Sequence, residues 1–132
     1  MEFYNAYTNY QELQVMGATP VELIRMLYRE AVGSVRMGRR FLAAGDVAGR
    51  ARSLGKAQSI VIELAASLNH AAGGNLAVQL LQIYDYLLTR LAEGQSSQRD
   101  QPLEEAERIL TTLADAWEQC PDEAELAASP AA

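Results

Sequence analysis

Side chains that carry chemistry are scarce in this chain of 132 residues: one cysteine, one histidine and one tryptophan. A lone Cys120 cannot form an internal disulfide, which fits a reducing compartment. Zinc would need more Cys and His ligands than Cys120 and His70 provide. The residue three before His70 is Ser67, whereas carboxylate-bridged metal sites in bundles use a glutamate there. Around Cys120 the sequence offers Trp117, Glu118 and Asp122, neither a base nor a positive field to sharpen a thiolate. His70 reads as a solvated residue near a helix C-terminus, where its charged form suits the dipole. Gly73-Gly74 lacks the Gly-x-Gly-x-x-Gly spacing and the preceding strand that a nucleotide site requires. No catalytic residue, cofactor or metal is therefore expected, and the chain is not expected to be an enzyme.

Positive charge is also short, with 11 Lys+Arg against 17 Asp+Glu and a formal charge of −6, which disfavours a general nucleic-acid role. No apolar run approaches the roughly 20 residues of a membrane-spanning helix, so membrane insertion is not expected. The start, MEFYNAYTNY, lacks the basic residues and apolar core of a secretory signal. Together these features favour the cytoplasm. No segment alternates apolar and polar residues at period two, which leaves strands without support.

What is present is helical period. Thr19 suits an N-cap, Pro20 the first helical position, and Glu22 stands three after Thr19 as in a capping box. Leu23, Ile24, Leu27, Ala31 and Val35 recur at helical spacing, so a first helix is expected from Pro20 to Ala44, about 37 Å long. Gly45 fits the residue after its end, and Asp46 can cap the next helix at once, a turn tight enough to make the two antiparallel. A second helix is expected over 47–69, with Val47, Ala51, Leu54, Val61, Leu64, Ala65 and Leu68 inward. Gly73-Gly74 breaks it. Asn75 then caps a third helix presenting Leu76, Leu80, Ile83, Tyr84, Leu87 and Leu91 and stopping at Gly94. The run GQSSQRDQ reads as a loop. Pro102 opens a fourth helix, with Glu104 and Glu105 near its positive end and Leu103, Ala106, Leu110, Leu113 and Trp117 as a near-heptad seam. The expected fold is all-α: an antiparallel four-helix bundle over 18–120, an extended N-terminal arm over 1–17 and a frayed acidic, alanine-rich tail over 121–132.

Several features exceed what a bundle needs. Through Lys56 the chain holds 8 basic and 5 acidic residues; beyond it, 3 and 12. Either antiparallel helices pair these charges, or Arg36, Arg39, Arg40, Arg50 and Arg52 form a basic patch for an acidic partner. Gly33, Gly38 and Gly55 each cost about 1 kcal/mol inside a helix relative to alanine. They are either simply tolerated or kept where something approaches closely. On helix two, Ala48, Gly55, Ser59, Ile62 and Ala66 make a second, weakly polar stripe beside the core stripe. Leu80-Leu81 and Leu87-Leu88 with Tyr84 and Tyr86 spread apolar area on helix three beyond one seam. Ile60, Ile62, Leu81, Tyr84 and Leu88 are accordingly the candidates for a partner surface, with core packing the alternative for each. Tyr7 and Tyr10 join them: an aromatic arm with polar tips can cover a partly wet groove until a partner displaces it. Exchange of such an arm between protomers would give a homodimer at low cost.

The ordered set Tyr7, Tyr10, Ala18-Thr19-Pro20, Glu22-Leu23 and Met26-Leu27-Tyr28 resembles the N-terminal pattern of the flagellin export chaperone family, FliS. Downstream, Ala44-Gly45-Asp46, Lys56-Ala57-Gln58 with Ile60-Val61, Gly73-Gly74 with Leu76 and Leu80, Tyr84-Asp85-Tyr86 with Arg90-Leu91, and Ala116-Trp117 extend the likeness over roughly 5–120. The resemblance implies a cytoplasmic chaperone that holds the disordered C-terminal segment of flagellin, prevents premature polymerisation and supports delivery to the flagellar type III export apparatus. The rival reading is a helical-bundle interaction or oligomerisation module with a different client.

Overall fold

A computed structural model of the chain describes residue 17 and residues 19–68 and 73–120. Residues 1–16 of the expected arm, with Tyr7 and Tyr10, and His70 and the tail lie outside those residues. Four helices follow in order: α1 Pro20–Ala44, α2 Val47–Ala66, α3 Asn75–Ser97 and α4 Asp100–Gln119. Each packs against two others, α1 on α2 and α4, α3 on α2 and α4, so the bundle closes as a ring. Side-chain ties set the directions. Arg29 near the start of α1 meets Glu118 near the end of α4, while Arg39 near the end of α1 meets Asp100 at the start of α4. Arg50 on α2 reaches Gln95 on α3, and Arg90 on α3 reaches Glu105 on α4. All neighbours are therefore antiparallel, as short connections demand.

Local chemistry accounts for the ends of α1. Thr19 is the N-cap, its Oγ1 accepting from the Glu22 amide at 3.1 Å, and Pro20 begins the helix. Gly45 takes φ 74 in the left-handed region and returns its amide to the Leu42 carbonyl. Asp46 caps α2 immediately, its carboxylate accepting from the Gly49 amide at 2.9 Å.

Further along, three expectations need correction. First, α2 ends at Ala66, short of 69, and the Ser67 hydroxyl donates to the Leu64 carbonyl there. Second, Gly74, not Asn75, caps α3, with φ 53, and Asn75 is its first residue. Third, Gly94 does not stop α3 but lies buried within it, and the helix runs to Ser97. Only Gln98 and Arg99 separate α3 from α4, and Gln98 turns the chain with φ 57. The serine-rich stretch stays helical because Ser96 and Ser97 bond back to the Glu93 carbonyl. Pro102 sits in the first turn of α4, where its missing N–H would have had no helical partner.

The core is one cluster at the ring's centre. On α2 the inward seam is Leu54, Ala57, Val61 and Leu64, continued past the helix end by Leu68, and its next position toward the start is Arg50, also buried. Val47, exposed at 57%, and Ala51, also exposed, were expected inside; the seam instead passes through the arginine between them. On α3 the seam is Ala77, Leu80, Tyr84, Leu87, Leu91 and Gly94, which leaves Leu76 exposed and Ile83 partly buried. Leu103, Ala106, Leu110 and Trp117 bury as expected, and Leu113 packs half-buried beside them.

Candidate functional site

Two of the residues proposed for a partner surface are interior. Ile60 is 0% exposed and Tyr84 is 1% exposed. Tyr84 lies on the α3 seam and its hydroxyl meets that of Tyr28 on α1 at 2.6 Å, joining helices on opposite sides of the ring. The Tyr28 ring stacks on Trp117, centroids 6.4 Å apart, so three helices meet at this aromatic knot. Burial pushes both phenols up, Tyr84 to about 12 and Tyr28 further. An aromatic locked into a polar tie of this kind is part of the scaffold.

The other three share a different place. Arg90 contacts Glu105 and Ile83 lines a groove with Ile109, so the flank of α3 carrying residues 83 and 90 faces α4. Leu81 and Leu88 project from the opposite flank, toward α2, and are half-buried against the core. On α2, Ser53 and Lys56 line a groove with α1, and residue 62 belongs to the flank facing α3. Ile62 is 43% exposed there. Antiparallel register fixed by Arg50 and Gln95 brings Ile62 level with the middle of α3. The α2–α3 side thus presents Ile62, Leu81 and Leu88 as apolar surface, with exposed Val78 at the start of α3. Within the proposed second stripe of α2, Ser59 is buried and spends its hydroxyl on the Gly55 carbonyl, whereas Ala48, Ile62 and Ala66 are exposed.

Two further grooves were only half visible in the sequence. One, of about 510 Å³, runs between α1 and α2 past Gly33, Met37, Phe41, Arg52 and Lys56. Gly33 is the signal that pointed there: a Cβ at that position would meet nothing within 4 Å. Gly38, by contrast, is needed for packing, since a Cβ would lie 2.5 Å from Leu54. The other groove, about 540 Å³ between α3 and α4, is lined by Gln79, Gln82, Ile83, Tyr86 and Ile109.

The charge asymmetry is partly consumed by helix pairing, through Arg29, Arg36 and Arg39. Arg39 grips Asp100 through two bonds of 2.8 Å and Glu107 through one of 2.9 Å, and Arg36 shares Glu107 at 2.9 Å. The Arg39 hydrogen bond holds the Asp100 carboxyl below its usual range. Burial pushes Glu107 upward, but Arg36 and Arg39 outweigh it and leave its carboxyl low. Arg25 holds the exit of α4, donating to the Trp117 carbonyl at 2.7 Å and to the Cys120 carbonyl. Arg40 and Arg52, the remaining members of the supposed patch, stay exposed without an acidic partner among the described residues, and Arg50 bonds only the neutral Gln95 there. Among the described residues no group of three or more His, Cys, Asp and Glu could hold a metal, and no helix is long and apolar enough to cross a membrane.

A helical bundle with apolar grooves between its helices and a rigid aromatic centre offers faces along which other chains can dock. The family model described as Flagellar protein FliS matches residues 3–124, and the chain belongs to that family of non-enzymatic flagellar secretion chaperones. It is 38% identical over 109 residues to the flagellar secretion chaperone FliS of Salmonella typhimurium, covering 82% of this chain and 81% of that one. Against the chaperone of the same name from Bacillus subtilis the identity is 34% over 119 residues, 90% and 88% of the two chains. The Vibrio cholerae chaperone is 28% identical over 110 residues, 83% and 81%.

Proposed function

We propose that this chain is a cytoplasmic chaperone for flagellin, holding its C-terminal segment before export and handing it to the flagellar export apparatus. The observation that carries this reading is the apolar surface on the α2–α3 side, where Ile62 is 43% exposed and Leu81 and Leu88 are half-buried, in a chain of this family. An apolar surface on a rigid bundle suits a segment that is unstructured alone and gains helical turns as it buries its apolar face. Ordering the client offsets about 2–5 kcal/mol of the gross interaction, which keeps the complex releasable. Nothing in this scheme calls for ATP.

The 1–17 arm is assigned to the same cycle, with Tyr7 and Tyr10 shielding apolar surface until the client arrives. The 18–120 bundle is the binding domain and 121–132 an appended tail. Co-expression with the flagellin C-terminal segment should yield a stoichiometric complex. Calorimetry should show a negative heat-capacity change, and circular dichroism a gain of helix beyond the sum of the parts. No complex at micromolar concentration would reject the reading and favour a bundle with another client. Removal of residues 1–17 should leave the bundle folded and its affinity undiminished; unfolding would make the arm part of the core.

A further inference from the structure

We propose that the α1–α2 groove is a second docking site, for an amphipathic helix of a partner protein that carries two carboxylates one turn apart. It lies on a different flank of α2 from the surface assigned to flagellin and does not rest on that assignment.

The argument begins with where ion pairs are missing. Arg29, Arg36, Arg39, Arg90, Arg99 and Arg108 all have carboxylate partners within the fold. The described cations without one include Arg52 and Lys56, both on α2, and Arg40 near the end of α1. Within α2 the single acid is Glu63, two turns beyond Lys56. A protein of net charge −6 therefore keeps a local positive strip. Arg52 and Lys56 are four residues apart, so they stand on one face about one turn from each other. A partner helix with acids at the same spacing matches them one to one.

The floor beside that strip is apolar. Met37 is 40% exposed, Phe41 is half-buried across Gly49, and Gly33 leaves open space where a side chain would stand. A missing Cβ lets a second helix approach closely, and about 510 Å³ of open groove accepts a row of side chains. Glu30 stands toward the opposite end of the groove from Arg52. The charge gradient along the groove would fix the partner's direction, because an acid placed near Glu30 is repelled.

The probe is a labelled synthetic peptide of about five helical turns with a leucine stripe at i, i+3, i+4 and i+7 and one Glu pair four apart. Its control replaces both Glu with Lys. Fluorescence anisotropy with the full chain should show the acidic peptide binding about tenfold tighter than the control, the difference shrinking as salt rises from about 0.05 to 0.5 M. R52E/K56E should invert the preference. Gly33→Leu, whose Cβ meets nothing within 4 Å and whose side chain fills the open groove, should weaken the acidic peptide about tenfold while circular dichroism and Tm show an intact bundle. Equal binding of the two peptides, no binding of the acidic one, or indifference to R52E/K56E and Gly33→Leu would overturn the proposal. So would equal competition by single-stranded oligonucleotide, which would mark a generic anion surface. Sedimentation should find the same mass for wild type and R52E/K56E; a lost dimer would make a second copy the occupant. Removal of 121–132 should leave peptide affinity unchanged, and a several-fold rise would assign the groove to the chain's own acidic tail.

Discussion

Helices α2 and α4 have 20 residues each and occupy opposite places in the ring, yet they are finished differently. α4 is tied on both flanks: Arg29, Arg36 and Arg39 of α1 reach its acids on one side, and Arg90 of α3 reaches Glu105 on the other. Arg25 secures its exit and Tyr86 donates to Glu105 at 2.7 Å. α2 has no ion pair to either neighbour among the described residues and crosses to α3 through the hydrogen bond that the Arg50 guanidinium donates to neutral Gln95. It keeps an exposed isoleucine on one flank and unmatched cations on the other. Both docking surfaces proposed above use this less committed helix, so the contrast between α2 and α4 is where the proposals can be broken.

The sharpest way to break this comparison uses two isoleucines two positions apart. Ile60→Asp puts a carboxylate into a site with no exposure and should cost more than about 4 kcal/mol, enough to unfold much of the population. Ile62→Asp changes a residue 43% exposed and should shift stability by less than about 1 kcal/mol while weakening the flagellin segment about tenfold or more. Thermal melts and calorimetry read both. Similar losses of stability in the two variants would place Ile62 in the core and remove the proposed client surface.

Sequence periodicity was enough to recover α1 to the residue, because Thr19 and Gly45 are chemically committed to its two ends. It misplaced the α3–α4 junction for a physical reason: Gly94 was read as a stop, but its role is contact. A Cβ there would lie 2.3 Å from Leu103 Cδ2, so the glycine lets two helices touch, and Gln98 makes the turn in its place. The inner and outer sides of α2 were likewise confused because Arg50, being charged, was passed over as a seam position. Once Arg50 is admitted, Ile60 goes in and Ile62 goes out. Face width in one helix reveals surplus apolar area, but only the neighbours decide which part of it is surplus.

That distinction among glycines sharpens the comparison at smaller scale. Gly94→Ala crowds the α3–α4 contact and should cost about 1–2 kcal/mol net of the better helix propensity of alanine. Gly33→Ala fills open space beside α2 and should gain about 0.5–1 kcal/mol. Denaturant midpoints of the two single variants measure the contrast. A loss at both positions would mean that the α1–α2 groove is as tightly filled as the α3–α4 contact.

The smallest effect concerns the ionic flank of α4 and has a pH signature. Asp100 and Glu107 have carboxyls held below their ordinary values of 3.8 and 4.5. Groups with a lowered folded pKa add stability that is present above the unfolded value and fades as pH falls through the folded one. Stability should therefore be level near neutrality and decline from about pH 5 downward. Arg39→Ala removes the shared partner of both acids and should cost about 0.5–1 kcal/mol at neutral pH, since these groups remain partly wet. The variant should also show a shallower acid decline than wild type. Glu63, the lone acid of α2, acts in the opposite sense: burial raises its pKa, so its charging opposes folding as pH rises. Glu63→Gln should accordingly make the acid decline slightly steeper than in wild type, and a decline flattened by Glu63→Gln rather than by Arg39→Ala would reverse the roles assigned to the two helices.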